Sequence, residues 1–165
     1  RLADYQKSRI ITFLDPGHDP RGAGYQIIQS KIAIGSGGLW GKGFLSGSQS
    51  KLDFLPERHT DFIFSVLGEE FGLLGCLVVV FLFGYLFFRC IKIAARCRSR
   101  FASYLVAGAT SIILFQFLIN IGMTLGIMPV TGLPLPFISY GGTALVLFWT
   151  LIGLIASADY NWQEY

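Results

Sequence analysis

Eleven consecutive residues, Lys51 to Asp61, hold three carboxylates (Asp53, Glu57, Asp61), one imidazole (His59) and two cations (Lys51, Arg58). If Pro56 opens a helix, Glu57 and Asp61 lie four residues apart and share a face. Three kinds of chemistry suit such a cluster. The acids can complement the positive end of a helix whose first turn begins at Pro56. His59 and Asp61 can join His18 around a metal ion, although their spacing matches no established ligand pattern. A carboxylate can also act as a general base at a membrane surface. The residue types by themselves leave all three open.

Other groups invite a similar reading. Glu69 and Glu70 stand where an apolar run begins. Acids there are costly unless paired or wet, which fits either a cavity-facing role or placement at the lipid headgroups. The stretch Gly35-Ser36-Gly37-Gly38-Leu39-Trp40-Gly41-Lys42-Gly43 invites comparison with a phosphate loop. It has Ser36 where Walker A needs its first glycine, Gly43 where Ser or Thr should follow Lys42, and no complete G-x-G-x-x-G. Tight backbone packing or a bend accounts for it better. Upstream, Ile27, Ile28, Lys31 and Ile32 predict a short helix over Tyr25–Ile34 with an apolar face, lying at the membrane interface. Cys76, Cys90 and Cys97 read as idle thiols rather than disulfide partners.

The elements that position these groups are built for lipid. Of the 165 residues, 53% are hydrophobic and 14% charged, against about 25% charged in a soluble domain; mean hydropathy is +0.57. An apolar, aromatic-rich chain is not intrinsically disordered. Three cysteines make no disulfide scaffold, and a net charge of +3, unevenly placed, makes no nucleic-acid footprint. With no signal peptide at its start, the chain is expected to be the C-terminal piece of a longer membrane protein.

No Asp, Glu, Lys or Arg occurs between Arg100 and Asp159. That length allows two crossings at about 20 residues each, separated by a segment carrying Pro129, Pro134 and Pro136. A further uncharged run spans Phe71–Phe88. The predicted architecture is an all-α, multi-span helical membrane protein. It has an extracytoplasmic loop over 1–61, transmembrane helices over 62–88, 101–128 and 141–157, a basic loop over 89–100, a Pro/Gly-rich connection over 129–140 and a tail over 158–165. Arg89, Lys92, Arg96, Arg98 and Arg100, with no acid among them, assign the 89–100 loop to the cytoplasm by the positive-inside rule. The tail is then cytoplasmic as well, and the acid cluster and the 129–140 connection are extracytoplasmic.

Three motifs, in order along the chain, carry a resemblance. The first is the glycine-rich Gly35–Gly43 stretch. The second is Leu55-Pro56-Glu57-Arg58-His59-Thr60-Asp61-Phe62 followed by Gly68-Glu69-Glu70. The third runs from Asn120-Ile121-Gly122-Met123 through Pro129-Val130-Thr131-Gly132-Leu133-Pro134-Leu135-Pro136 to Ser139-Tyr140-Gly141-Gly142-Thr143. Together they resemble the C-terminal half of the RodA/FtsW (SEDS) family of bacterial shape, elongation, division and sporulation proteins. Pro129-Val130-Thr131-Gly132 and Gly41-Lys42-Gly43 look more like the RodA branch than the FtsW branch.

The resemblance implies a fold of roughly ten spans, of which these are the last three, in the bacterial cytoplasmic (inner) membrane with the active face outside. It implies a peptidoglycan glycosyltransferase that polymerises lipid II into β-1,4 glycan strands during elongation and rod-shape maintenance. Its implied partners are lipid II, the nascent glycan strand, membrane lipids and a class B penicillin-binding protein, with no nucleic acid. Asp61 falls at the family's proposed catalytic Asp. Asp53 falls at a position linked to activity, where division members commonly have Glu. Glu57, His59 and Ser139-Tyr140-Gly141-Gly142 match motif positions without an assigned role.

The chemistry needs one base, because a diphosphate leaves without help from a general acid. Positive charge for the leaving group comes from Lys42, Lys51 or Arg58, or from a divalent cation, Mg or Mn; no organic cofactor is called for. A lipid II flippase, or a membrane scaffold for the penicillin-binding protein, is the alternative. Residues 1–165 alone are expected to be inactive, since the Gly- and Pro-rich interruptions need neighbouring helices to satisfy their backbone.

The orientation is open to a direct check. Cys97 should react with an impermeant thiol reagent only when the cytoplasmic face is opened, and a cysteine introduced at Ser48 should react from outside. Labelling of Cys97 in sealed spheroplasts would reverse the orientation.

Overall fold

A computed structural model describes Thr12, residues 22–44, Ser46 and residues 60–163. It contains helices α1 (Ala23–Gly37), α2 (Ile63–Arg96), α3 (Arg100–Thr124) and α4 (Gly142–Gln163). Among the described residues there is no strand. Helices α2 and α3 and the Gly142–Tyr160 part of α4 are long and apolar enough to cross a membrane, in agreement with the all-α, multi-span expectation. Helices suit lipid because each satisfies its own backbone groups.

Helix α2 packs against α1, α3 and α4. Aromatic rings fill the main core: Phe83 stacks on Phe117 with centroids 4.4 Å apart, and Phe87 meets Phe117 edge-on at 5.7 Å. Phe64, Ile113, Leu135 and Phe148 close around them. A smaller cluster of Cys90, Val106, Ala109 and Ile155 joins the other ends of the three long helices. The three cysteines are free thiols, and Cys76 and Cys90 are buried.

Two element boundaries differ from expectation for clear reasons. The segment expected to be a basic loop over 89–100 is helical as far as Arg96, leaving only Cys97–Ser99 between α2 and α3. Long basic side chains support such an extension by lying along apolar surface; Lys92 Nζ sits 4.3 Å from the Phe88 ring centre. Helix α3 ends at Thr124 rather than near Met128. Gly126 takes φ +68°, and the N–H groups of Ile127 and Gly126 donate to the carbonyls of Gly122 (2.8 Å) and Met123 (3.0 Å). This is the Schellman pattern that stops a helix.

Helix α1 also corrects the sequence reading. Its buried face is Ile27, Ser30, Ala33 and Gly37, whereas Ile28 and Ile32 are 41% and 46% exposed. The face is narrow because α1 lies close against α2, as small residues permit in membrane helices. The Ser30 hydroxyl is 2.6 Å from the Ser65 hydroxyl and donates to the Thr124 carbonyl at 2.6 Å. One side chain thereby ties α1, α2 and α3 together. The helix is docked on its neighbours through Ile27 and these small and polar groups.

Helix α2 is broken near its start. Gly72 has φ +65° and ψ −162°, a backbone that glycine reaches without a side-chain clash. The carbonyls of Glu69 and Glu70 would ordinarily accept from Leu73 and Leu74. Instead they accept from the N–H groups of Lys42 and Gly43, both at 3.0 Å, while Leu73 and Leu74 donate to the carbonyls of Gly38 (2.9 Å) and Leu39 (3.3 Å). The glycine-rich stretch thus packs backbone to backbone, as its composition suggests. A β-carbon at Gly41 would overlap the Glu70 carbonyl, and one at Gly72 would overlap the Gly41 nitrogen and the Leu39 carbonyl.

This docking predicts a contrast between two glycines of the same helix. Gly72→Ala should lower stability by about 2 kcal/mol or more, through a strained φ and displaced hydrogen bonds. Gly84→Ala, where a β-carbon meets nothing within 4 Å, should leave stability unchanged or raise it by up to about 1 kcal/mol. Thermal unfolding of the detergent-solubilised protein reads both.

Candidate functional site

The described part of the acid cluster is the turn Thr60-Asp61-Phe62 leading into α2. Phe62 anchors it, packed with Ile27, Ala33 and Val130. Phe62 is also the N-cap of α2 and makes no side-chain cap bond; the N–H groups of Ser65 (3.0 Å) and Val66 (3.4 Å) donate to its carbonyl. Asp61 therefore lies in a turn ahead of the cap; Glu57, expected to share a helix face with it, lies outside the described residues. It is partly buried, and a β-carbon at Gly132 would stand 3.4 Å from its Oδ2. The carboxylate and the Pro-rich connection thus face each other.

Side chains from two distant segments hold this turn. Asn120, fully buried near the end of α3, donates through Nδ2 to the carbonyl of Asp61 at 2.9 Å and to that of Leu133 at 2.7 Å. Its Oδ1 accepts from no described residue, a deficit that costs about 1–3 kcal/mol. Ser139 donates through Oγ to the carbonyl of Thr60 at 2.5 Å and accepts from the Leu135 N–H at 2.7 Å.

The tight turn that presents Ser139 includes Phe137 at φ +64°, a left-handed conformation that costs of order 1–3 kcal/mol away from glycine. The Phe137 ring packs against Phe148 (5.5 Å), Trp149 (5.9 Å) and Phe83 (6.3 Å) between centroids, and that packing holds the strained residue in place.

The remaining candidates fall in three groups. Of the signature residues, Ser139 is buried and bonded as above, whereas Tyr140 is 82% exposed. The Gly141 carbonyl accepts from the Leu145 N–H at 2.9 Å, and Gly142 opens α4. With Ile63, Phe137, Ile138 and Leu145 they line a mostly apolar cleft of about 600 Å³. Lys42, its side chain 29% exposed, forms a 2.8 Å ion pair with Glu69, which is fully buried. Glu69 is thus an interior acid held by a cation. Lys51, Asp53, Glu57, Arg58 and His59 lie outside the described residues, as does His18.

Among the described residues no three His, Cys, Asp or Glu side chains converge as metal ligands. The described part of the site offers a carboxylate on a fixed turn, an apolar cleft that begins at Ile63 and Ser139 next to that turn, and, further along α2, buried Glu69 holding the Lys42 cation of the loop. Two participants escaped the sequence reading. Asn120 stood in a quoted motif, and its signal was an amide in an otherwise uncharged span. The Lys42–Glu69 pairing joins residues 27 apart and had no local signal.

Comparison with known proteins gives a consistent picture. Over 156 residues the chain is 54% identical to the peptidoglycan glycosyltransferase MrdB of Escherichia coli K12, covering 94% of this chain and 42% of that protein. It is 46% identical over 158 residues to the peptidoglycan glycosyltransferase RodA of Treponema pallidum, covering 96% of this chain and 36% of that one. A chain solved in a study of how a peptidoglycan synthase complex coordinates polymerization and crosslinking superposes with a TM-score of 0.74 at 38% identity, covering 98% of this chain and 43% of that chain. The chain thus spans about two-fifths of the length of the curated relatives it matches. A family model described as a cell cycle protein, for FtsW, RodA and SpoVE, matches residues 1–164. The chain belongs to the FtsW/RodA/SpoVE family of integral membrane proteins.

Proposed function

We propose that the protein is part of a peptidoglycan glycosyltransferase that polymerises lipid II into β-1,4 glycan strands, with Asp61 as its general base. The observation that carries this reading is the immobilised turn at Asp61, whose carboxylate faces the Pro-rich connection next to an apolar cleft. The 4-hydroxyl of the acceptor GlcNAc gives its proton to Asp61 as its oxygen attacks C1 of the donor sugar. The bond from C1 to the lipid diphosphate breaks, and the diphosphate departs with its electron pair. A single displacement inverts the α-linked centre to β. Lys42, Lys51 and Arg58 are the cations proposed to meet the diphosphate; a bound Mg or Mn ion would supply the same positive charge.

The active face is extracytoplasmic in the bacterial inner membrane, by the charge asymmetry of the Arg89–Arg100 segment. A class B penicillin-binding protein is the proposed partner, supported by the origin of the solved relative in a peptidoglycan synthase complex. Assignment to the elongation branch rests on Pro129-Val130-Thr131-Gly132 and Gly41-Lys42-Gly43.

One observation favours the flippase alternative: α2 is broken beside a buried ion pair, as transporter helices often are. Counting 20 residues back from Arg89 brings Glu69 to the membrane boundary rather than to its midplane. That depth suits chemistry at the surface better than passage through the bilayer.

The deciding measurement is polymerisation of lipid II by the full-length protein with its partner. Asp61→Asn should reduce the rate by about 10²–10⁴, with membrane insertion and partner binding unchanged, because the substitution is near-isosteric. Asp53→Asn should lose less. Near-normal polymerisation by inserted Asp61→Asn would remove the base assignment and favour the flippase.

A further inference from the structure

The geometry points to Asn120 as the positioning residue that sets the Asp61 carboxylate, an inference that rests on the proposed role of Asp61 as base. Both hydrogens of the Asn120 amide are committed, one to the Asp61 carbonyl (2.9 Å) and one to the Leu133 carbonyl (2.7 Å). The orientation of the amide is therefore fixed, since a flip would set Oδ1 against two carbonyl oxygens. Ser139 holds the preceding carbonyl, that of Thr60. The two peptide planes that flank the Asp61 α-carbon are thus each tied to a different element. With both planes held, φ and ψ of Asp61 are set.

The second bond of Asn120 completes the device. Leu133 follows Gly132, whose α-carbon faces Asp61 Oδ2. One amide therefore fixes both the chain that bears the carboxylate and the chain opposite it, and so sets the gap between them. Asn120 itself is fully buried on α3, 59 residues from Asp61 in sequence. Packing alone does not account for an amide there, because its Oδ1 accepts no hydrogen bond from any described residue. What the amide supplies, and an apolar side chain of equal size would not, is a pair of donors aimed at these two carbonyls. Displacing a catalytic group by about 1 Å costs on the order of 10²-fold in rate, so a residue that sets this gap governs turnover without touching substrate.

The test uses the full-length protein with its partner, purified lipid II, and a cycle of Asn120→Leu and Asp61→Asn. Asn120→Leu should lower the polymerisation rate about 10²-fold while leaving the KM for lipid II within about twofold. Its pH–rate profile should change shape on the acid limb, where the base titrates, instead of scaling down uniformly. In the Asp61→Asn background, where slow residual polymerisation is followed over long incubations, Asn120→Leu should cost little more, because a residue acting through Asp61 has nothing left to position. Asn120→Ala, which lacks the paired donors and adds no charge, gives the same comparison if Asn120→Leu does not insert.

Normal polymerisation by Asn120→Leu overturns the inference. So does an undiminished further loss in the Asp61→Asn background, or a pH profile of unchanged shape, either of which would mark Asn120 as a structural residue. Near-normal polymerisation by Asp61→Asn itself fails differently, because it removes the base assignment on which the positioning role stands.

Discussion

A helix in lipid has to satisfy every backbone group from within, and α2 does not. At the kink around Gly72 the carbonyls of Glu69 and Glu70 and the N–H groups of Leu73 and Leu74 turn to partners outside the helix, in a largely apolar setting. Each unsatisfied group there would cost several kcal/mol. Four residues of one short stretch, Gly38, Leu39, Lys42 and Gly43, answer all four. The approach is so close that side chains at Gly41 and Gly72 would block it. Through that exchange the loop is anchored to the helix, and the end of α1, which runs into the loop, is anchored with it.

The consequences reach the Asp61 turn by way of packing. With α1 fixed at its end by the loop and along its length by Ser30, Ile27 and Ala33 form a seat for Phe62. Phe62 then fixes where α2 begins. Val130 completes the same cluster and brings in the Pro-rich connection, whose other end is pinned by the aromatic rings around Phe137. The carboxylate of Asp61 is thus confined by segments far apart in sequence. Glu69 belongs to the same scheme: a fully buried acid is tolerable because Lys42, delivered by the docked loop, lies 2.8 Å away.

Much of this arrangement was legible in the sequence. The uncharged runs gave three spanning helices, because charge is so costly in lipid that its absence is a strong signal. The glycines of Gly35–Gly43 signalled close backbone packing, although nothing local said against what. Helix ends were less legible. The charges of Arg89, Lys92 and Arg96 suggest a loop, yet their long stems lie readily on a helix surface at the membrane edge. The inner face of α1 was misjudged for a related reason. Periodicity finds large apolar residues and so includes Ile27, whereas the rest of the docked face is Ser30, Ala33 and Gly37, and only the partner helix makes those the buried ones. Asn120 was legible as an unusual residue but not as the partner of Asp61, since that pairing depends on how α3 meets the start of α2.

The exchange at the α2 break also has a direction in time. The stretch that repairs the break is synthesised before the helix that contains it, so the donors and acceptors of Gly38 to Gly43 already exist when Glu69 to Leu74 leave the ribosome. Were the order reversed, a helix with a gap in its ladder would wait in the membrane for its repair. As the chain runs, the first half of α2 can close onto a loop already made, and the remaining turns to Arg96 can form on a finished base. The chain order thus spares the nascent protein an intermediate whose backbone has no partner.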